Sequence, residues 1–118
     1  MDDIRKLDAE LNAMVQGGQI LPAFERFYGD DVVMQENSEP PVSGKTANRA
    51  REQAFVDSVA EVHGIHLLAT ATAGDVAFGE WLLDVTFKGG GRVIMAQASV
   101  RRWKDGKVVA ERFYYNKG

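Results

Sequence analysis

The chain has no cysteine, which excludes a disulfide framework, a thiol nucleophile and a thiolate-bound metal. Proline is scarce, with three residues in 118, and two of them sit together at Pro40-Pro41, so breaks in regular structure are few and local. No apolar run is long enough to span a bilayer, and the opening MDDIRKLDAELNAMV is too charged to read as a signal peptide. A cytoplasmic protein without a membrane partner is the expectation. Neither sign of charge dominates: 14 Lys and Arg face 17 Asp and Glu, and the basic residues are scattered rather than striped, which argues against a nucleic-acid partner. The two histidines, His63 and His66, are three apart near an expected helix end, and a metal site would need a third ligand that the sequence does not specify. Gly89-Gly90-Gly91 precedes no helix, so it is no phosphate loop. No metal and no cofactor are implied.

What is present is a chain of ordinary globular composition, 45% hydrophobic and 26% charged, expected to form one domain over residues 1–118. Residues 3 to 15 place Ile4, Leu7, Leu11, Met14 and Val15 on one helical stripe, with Asp2 and Asp3 at the favourable amino end and Gly17-Gly18 as the stop. Pro22 opens a shorter second helix carrying Phe24, Phe27 and Tyr28 and ending near Gly29. A strand follows from Val32 to Asn37, then a loop from Ser38 to Ser43. A third helix is expected from about Thr46 to Val62, with Gly64 ending it. Strands over 65–72, 76–87, 92–103 and 107–115 complete the order α-α-β-α-β-β-β-β, an α+β chain with helices on one face of a curved antiparallel sheet.

The most informative stretch is RVIMAQASVRRWKDGKVVAERFYY, residues 92–115. Lys104-Asp105-Gly106 reads as a three-residue hairpin loop with Gly106 in the left-handed position. Pairing Trp103 with Lys107 sets Arg101 opposite Val109, Ser99 opposite Glu111, Gln97 opposite Phe113 and Met95 opposite Tyr115. The odd residues then share one face, which mixes aromatics with Gln97, Ser99, Arg101 and Glu111. The even face carries Ile94, Ala96, Ala98, Val100, Val108 and Ala110 and is apolar. A mainly apolar surface with a few placed polar groups is what a small-molecule cavity requires. A smooth apolar outer face is what a soluble monomer tends to cover, so a homodimer is expected.

The element order, FYGDDVVMQENSEPPVSGK and RRWKDGKVVAERFYY together resemble the SnoaL-like branch of the nuclear transport factor 2-like superfamily. The matching pieces are Tyr28, Asp30 and Asp31 at the entry to the first strand, Pro41 and Gly44 in the following loop, and Trp103, Asp105, Gly106 and Lys107 in the last hairpin. The resemblance implies a cone: a curved antiparallel sheet wrapped around three helices, enclosing a pocket and commonly dimerising through its outer face. It implies chemistry of the isomerase, cyclase or epoxide hydrolase type, or ligand binding without catalysis. Glu36 takes the position of the steroid isomerases' base. The first helix has no tyrosine, and Ser99 falls where those enzymes place a protonated acid. In epoxide hydrolases two carboxylates flank an arginine, and Glu111 with Arg101 is the nearest match.

The catalytic candidates are therefore Glu36 and Glu111, and the ligand-binding candidates are Tyr28, Trp81, Gln97, Ser99, Arg101, Phe113 and Tyr115. Two plainer readings stand beside these: Glu36 as a solvated strand-end acid, and Glu111 as half of a structural ion pair with Arg101. The expected function is cofactor-independent acid–base chemistry on an apolar or aromatic small molecule, the alternative a non-catalytic binding or dimerisation module.

Overall fold

The computed structural model describes residues 3–116. Helix α1 (Ile4–Gln16) begins where the Asp3 carboxylate accepts a hydrogen bond from the Arg5 N–H at 3.0 Å, satisfying one of the helix's free amino-terminal donors. Asp2 lies outside the described residues. The helix ends at Gly17, and Gly18 takes φ 81°, a left-handed turn open to glycine. Helix α2 (Ile20–Phe27) has Pro22 in its first turn and stops one residue before Tyr28. Tyr28 is thus the first residue of strand β1 (Tyr28–Glu36) rather than part of the helix.

The expected loop after β1 contains a two-residue strand, β2 (Val42–Ser43), which pairs antiparallel with Val33 and Met34. Helix α3 (Lys45–Ser58) is shorter than expected, because Val59 and Val62 leave the helix to pair with Phe87 and Val85. Their spacing continues the apolar stripe of Ala50, Ala54 and Phe55, but both are β-branched, and a ladder partner on each outweighs the local pattern. Strand β3 therefore runs over Val59–Ala73, with Gly64 inside it at a bulge and both histidines on it. His63 Nε2 lies 2.8 Å from Thr86 Oγ1 across the ladder.

Strands β4 (Val76–Phe87), β5 (Arg92–Lys104) and β6 (Lys107–Tyr115) follow. The sheet order is β2-β1-β6-β5-β4-β3, antiparallel except for the β1–β6 pair. The closing hairpin corrects the expected register. Its turn has two residues, Asp105 and Gly106, with φ 53° and 77°, so Lys104 faces Lys107 and Trp103 faces Val108. Val109 then has no partner, a bulge, and beyond it Arg101 faces Glu111, Ser99 faces Phe113 and Gln97 faces Tyr115. The shorter turn moves the pairing by one residue and the bulge by one more, which restores the expected faces but not the expected partners. Between turn and bulge the faces are exchanged. Val108 accordingly lies in the core instead of on the outer face.

The core fills one end of the concavity. Leu11 of α1 and Ala23, Phe24 and Phe27 of α2 pack on Val32, Met34, Trp103 and Val108. Helix α3 contributes little to it: its one fully buried side chain is Asn48. The Asn48 amide nitrogen lies 2.9 Å from the carbonyls of Val42 and Gly44, tying the start of the helix to β2. Further along α3, Arg51, Glu52, Ala54 and Phe55 line the cavity, and the Phe55 ring meets Phe87 of β4 edge-on at 6.2 Å.

Candidate active site

The cavity has a volume of about 580 Å³. Its walls are largely apolar, with Phe24, Phe55, Trp81, Phe87 and Phe113 from four elements. Of the residues expected to meet a ligand, Tyr28, Trp81, Gln97, Arg101, Phe113 and Tyr115 line it, as do Glu36 and Glu111. Ser99 is not in the lining; it is buried beneath, and its hydroxyl accepts the Trp81 indole N–H at 3.1 Å. Gly79 makes room for that bond, since a Cβ there would lie 2.8 Å from the Trp81 nitrogen.

Glu111 sits at the floor, 2% exposed, and is fully engaged. It accepts a short hydrogen bond from the Tyr28 hydroxyl and one from Arg101 Nε at 2.9 Å. Arg101 Nη1 reaches back to Asp8 Oδ1 at 2.8 Å and Asn12 Oδ1 at 2.9 Å, both on α1. Asp8 also accepts the Trp103 indole N–H at 3.0 Å and the Asn12 amide at 3.0 Å. Each buried polar atom in this network has a partner, the condition under which charges can stay buried. Burial works against the Arg101 charge, but Glu111, Tyr28 and Asp8 outweigh it and hold the guanidinium firmly protonated. Burial, and then the Glu111 charge, push the Tyr28 phenol well above its usual range.

Glu36 stands at the rim, roughly one-third exposed. It forms an ion pair with Arg51 of α3 and accepts the Tyr115 hydroxyl at 2.9 Å. Partial burial and the Glu36 carboxylate push the Tyr115 phenol up to about 12. Arg51 also donates to Asn48 Oδ1 at 3.3 Å.

Four polar residues of this arrangement were not anticipated: Asp8, Asn12, Arg51 and Glu52. Glu52 is the most consequential. It lies one helical turn beyond Asn48 and one before Phe55, on the side of α3 that lines the cavity. Among the described residues no hydrogen bond or ion pair reaches its carboxylate. Burial, then the nearby Glu111 charge, raise its pKa to about 7, with Glu36 adding to the shift and Arg51 opposing it. A carboxyl in that state exchanges protons at neutral pH. Among the described residues no group of three His, Asp or Glu side chains is arranged to hold a metal, and no helix is long and apolar enough to cross a membrane.

The fold has clear relatives among solved structures. A protein provisionally named as a SnoaL-like polyketide cyclase from Mesorhizobium loti superposes with a TM-score of 0.87 at 30% identity, covering 97% of this chain and 100% of that one. A provisionally named isomerase from Bacillus subtilis gives 0.80 at 16%, over 98% and 90% of the two chains. A ketosteroid isomerase-like protein from Catenulispora acidiphila, solved in complex with trimethylamine, gives 0.77 at 14%, over 92% and 85%. The last two likenesses are of fold alone. No curated protein sequence matches the chain. The SnoaL-like domain model matches residues 5–115, nearly the whole length, and the chain belongs to that family.

Proposed function

We propose that the chain binds an apolar or aromatic small molecule in this cavity and exchanges a proton with it, without a cofactor. The observation that carries the proposal is Glu52, a carboxylate with no partner inside a mainly apolar cavity. Glu36 and Glu111 remain part of the site in defined roles. Glu36 anchors Arg51 and Tyr115 at the rim, and its charge helps hold the Glu52 proton. Glu111 fixes Tyr28 and Arg101 at the floor, so the polar groups there are set before a ligand arrives. A relative at 30% identity is named for cyclase chemistry, and a structure of the same fold for isomerase chemistry, which is consistent with a proton carrier facing an apolar ligand.

The test is α-deuteration of a panel of cyclic ketones in D2O, followed by mass spectrometry. The expected result is exchange that rises through pH 7 and is lost in Glu52→Gln. Exchange unaffected by that substitution would remove Glu52 from the role. A second reading, ligand binding without catalysis, draws on the pairing of both Glu36 and Glu111. It predicts saturable ligand binding with no deuteration of any compound bound.

The homodimer belongs to the same proposal. Ile94 is 62% exposed on the outer face of the sheet, Ala96 and Ala98 are exposed further along the same strand, and the exposed Tyr114 and Phe78 stand opposite Ala98 and Val100. That apolar surface supports pairing with a second copy. Its check is the solution mass, taken up below.

A further inference from the structure

We infer that the ligand of this cavity carries a positively charged nitrogen, held by Glu52, with its apolar body against the surrounding aromatic rings. The inference rests on the reading of Glu52 as the cavity's unpartnered carboxylate. It adds the ligand's charge, which that reading leaves open.

Charge accounting within the cavity is the first ground. The charged and titratable groups facing Glu52 are Arg51 on its own helix, Glu36 and Tyr28 on β1, Arg101 on β5, and Glu111 and Tyr115 on β6. From α1, α2, β3 and β4 the cavity receives only uncharged side chains. Both guanidiniums are committed. Arg51 is held by Glu36 and Asn48, and Arg101 by Glu111, Asp8 and Asn12. An anionic ligand would therefore find no free cation among the described residues that line the cavity. A ligand cation finds one carboxylate without a partner, in a lining where three glutamates face two arginines.

The walls are the second ground. Phe24, Phe55, Trp81, Phe87 and Phe113 present aromatic surface to the same space. Aromatic faces attract cations, most strongly when water is excluded, and they accept an ammonium's alkyl groups as readily as any apolar body. Aliphatic walls would serve a neutral apolar ligand equally well and offer a cation nothing.

The two features act together. Without a ligand the Glu52 carboxyl keeps its proton for much of the time at neutral pH, because burial and the charges of Glu111 and Glu36 disfavour the anion. A bound cation supplies the missing partner and stabilises the anion, which is also the form that accepts a proton. Binding the right ligand would thus generate the base.

The experiment compares phenyltrimethylammonium with tert-butylbenzene, the same shape with carbon in place of the charged nitrogen. Affinities are measured by calorimetry and ligand-observed NMR on the intact chain, in buffers of differing ionisation enthalpy. The expected result is at least roughly tenfold tighter binding of the cation at pH 8, a preference that shrinks below pH 6, and release of about half a proton on binding at pH 7. Glu52→Gln should bring the two affinities together. Equal affinities in the wild type, or a preference that survives Glu52→Gln, overturns the inference and leaves a neutral-ligand cavity standing. Failure of both compounds to bind overturns the inference and the cavity reading with it. Should Glu52→Gln not fold, the pH dependence and proton release of the wild type decide alone: a pH-independent preference without proton release also overturns it.

Discussion

Arg101 and Glu111 face each other directly across β5 and β6, joined from Nε to Oε2 at 2.9 Å, and the two residues are 5% and 2% exposed. The bulge at Val109 creates this pairing, since without it Arg101 would face a different residue. On the far side of Arg101, Asp8 and Asn12 complete its hydrogen bonds and tie α1 to the sheet. Removing the cation leaves two buried carboxylates uncompensated. Arg101→Met is expected to cost about 3–5 kcal/mol in denaturant unfolding. Glu111→Gln, which leaves Arg101 still paired with Asp8, should cost less, about 1–3 kcal/mol. If Arg101→Met is neutral, the network is not what holds α1 in place.

Glu36 is expected to behave differently. Its pair with Arg51 is roughly one-third exposed on both sides, with side-chain exposures of 37% and 34%, and contributes at most about 1 kcal/mol. Glu36→Gln should leave the thermal midpoint nearly unchanged. It should also lower the Glu52 midpoint in a 13C-carboxyl NMR titration, because a like charge is removed and Arg51 is freed to approach. An unmoved midpoint would mean that the rim and Glu52 are electrostatically independent.

How legible this was from sequence depends on the range of the interaction. Alternation along 92–103 and 107–115 placed Arg101, Glu111, Phe113 and Tyr115 on the inner face, because a strand's period is local. The partners across the hairpin depended on the turn and the bulge. The bulge at Val109 leaves no mark in residue type, as valine suits either arrangement. Asp8 and Asn12 had a signal, two polar residues at i and i+4 flanking Leu7 and Leu11, but the donor they share, Arg101, lies some ninety residues away. Glu52 was hidden for another reason. Helix α3 has a weak apolar side, since it bounds a cavity instead of packing into the core, and amphipathic pattern marks packing alone. The end of α3 was misread at Val59 and Val62 because a helical stripe continued by β-branched residues also suits a strand.

In the proposed dimer, Ala98 lies on the exposed outer face of the sheet, between Tyr114 of β6 and Glu80 of β4. Ala98→Glu would bury a charge at the interface, which is costly without a partner. The variant is expected to run as a monomer in light scattering while the wild type runs as a dimer. A wild type that is monomeric at millimolar concentration would remove the dimer from the proposal.

Gly79 has no room for a side chain against a buried ring. An added Cβ would lie 2.8 Å from Trp81 Nε1, 3.2 Å from Ser99 Oγ and 3.3 Å from Leu67 Cδ1. Trp81 is buried and its ring has little freedom to move. Gly79→Ala should break the Trp81–Ser99 bond and cost about 1–3 kcal/mol, with a change in near-ultraviolet circular dichroism. An unchanged tryptophan spectrum would show that the ring relaxes freely into the cavity.

The pH dependence of stability tests Glu52 without any ligand. Its folded-state pKa, about 7, lies above the ordinary 4.5, so the folded chain holds this proton more tightly than the unfolded chain does. The stabilising contribution is therefore full below pH 4.5 and is lost as pH rises through 7. The whole shift would correspond to about 3 kcal/mol, and because Glu52 is half-buried, solvent screening reduces the expected loss to roughly 2 kcal/mol. Glu52→Gln stays neutral throughout, so the variant should show a flatter profile over this range and exceed the wild type in stability above pH 7. The comparison must be made as a difference between the two proteins, since other carboxylates titrate near the lower limit and are common to both. A Glu52→Gln profile parallel to the wild type from pH 4.5 to 8 would mean that the carboxylate is solvated after all. In that event neither the proton carrier nor the cation partner assigned to this position survives.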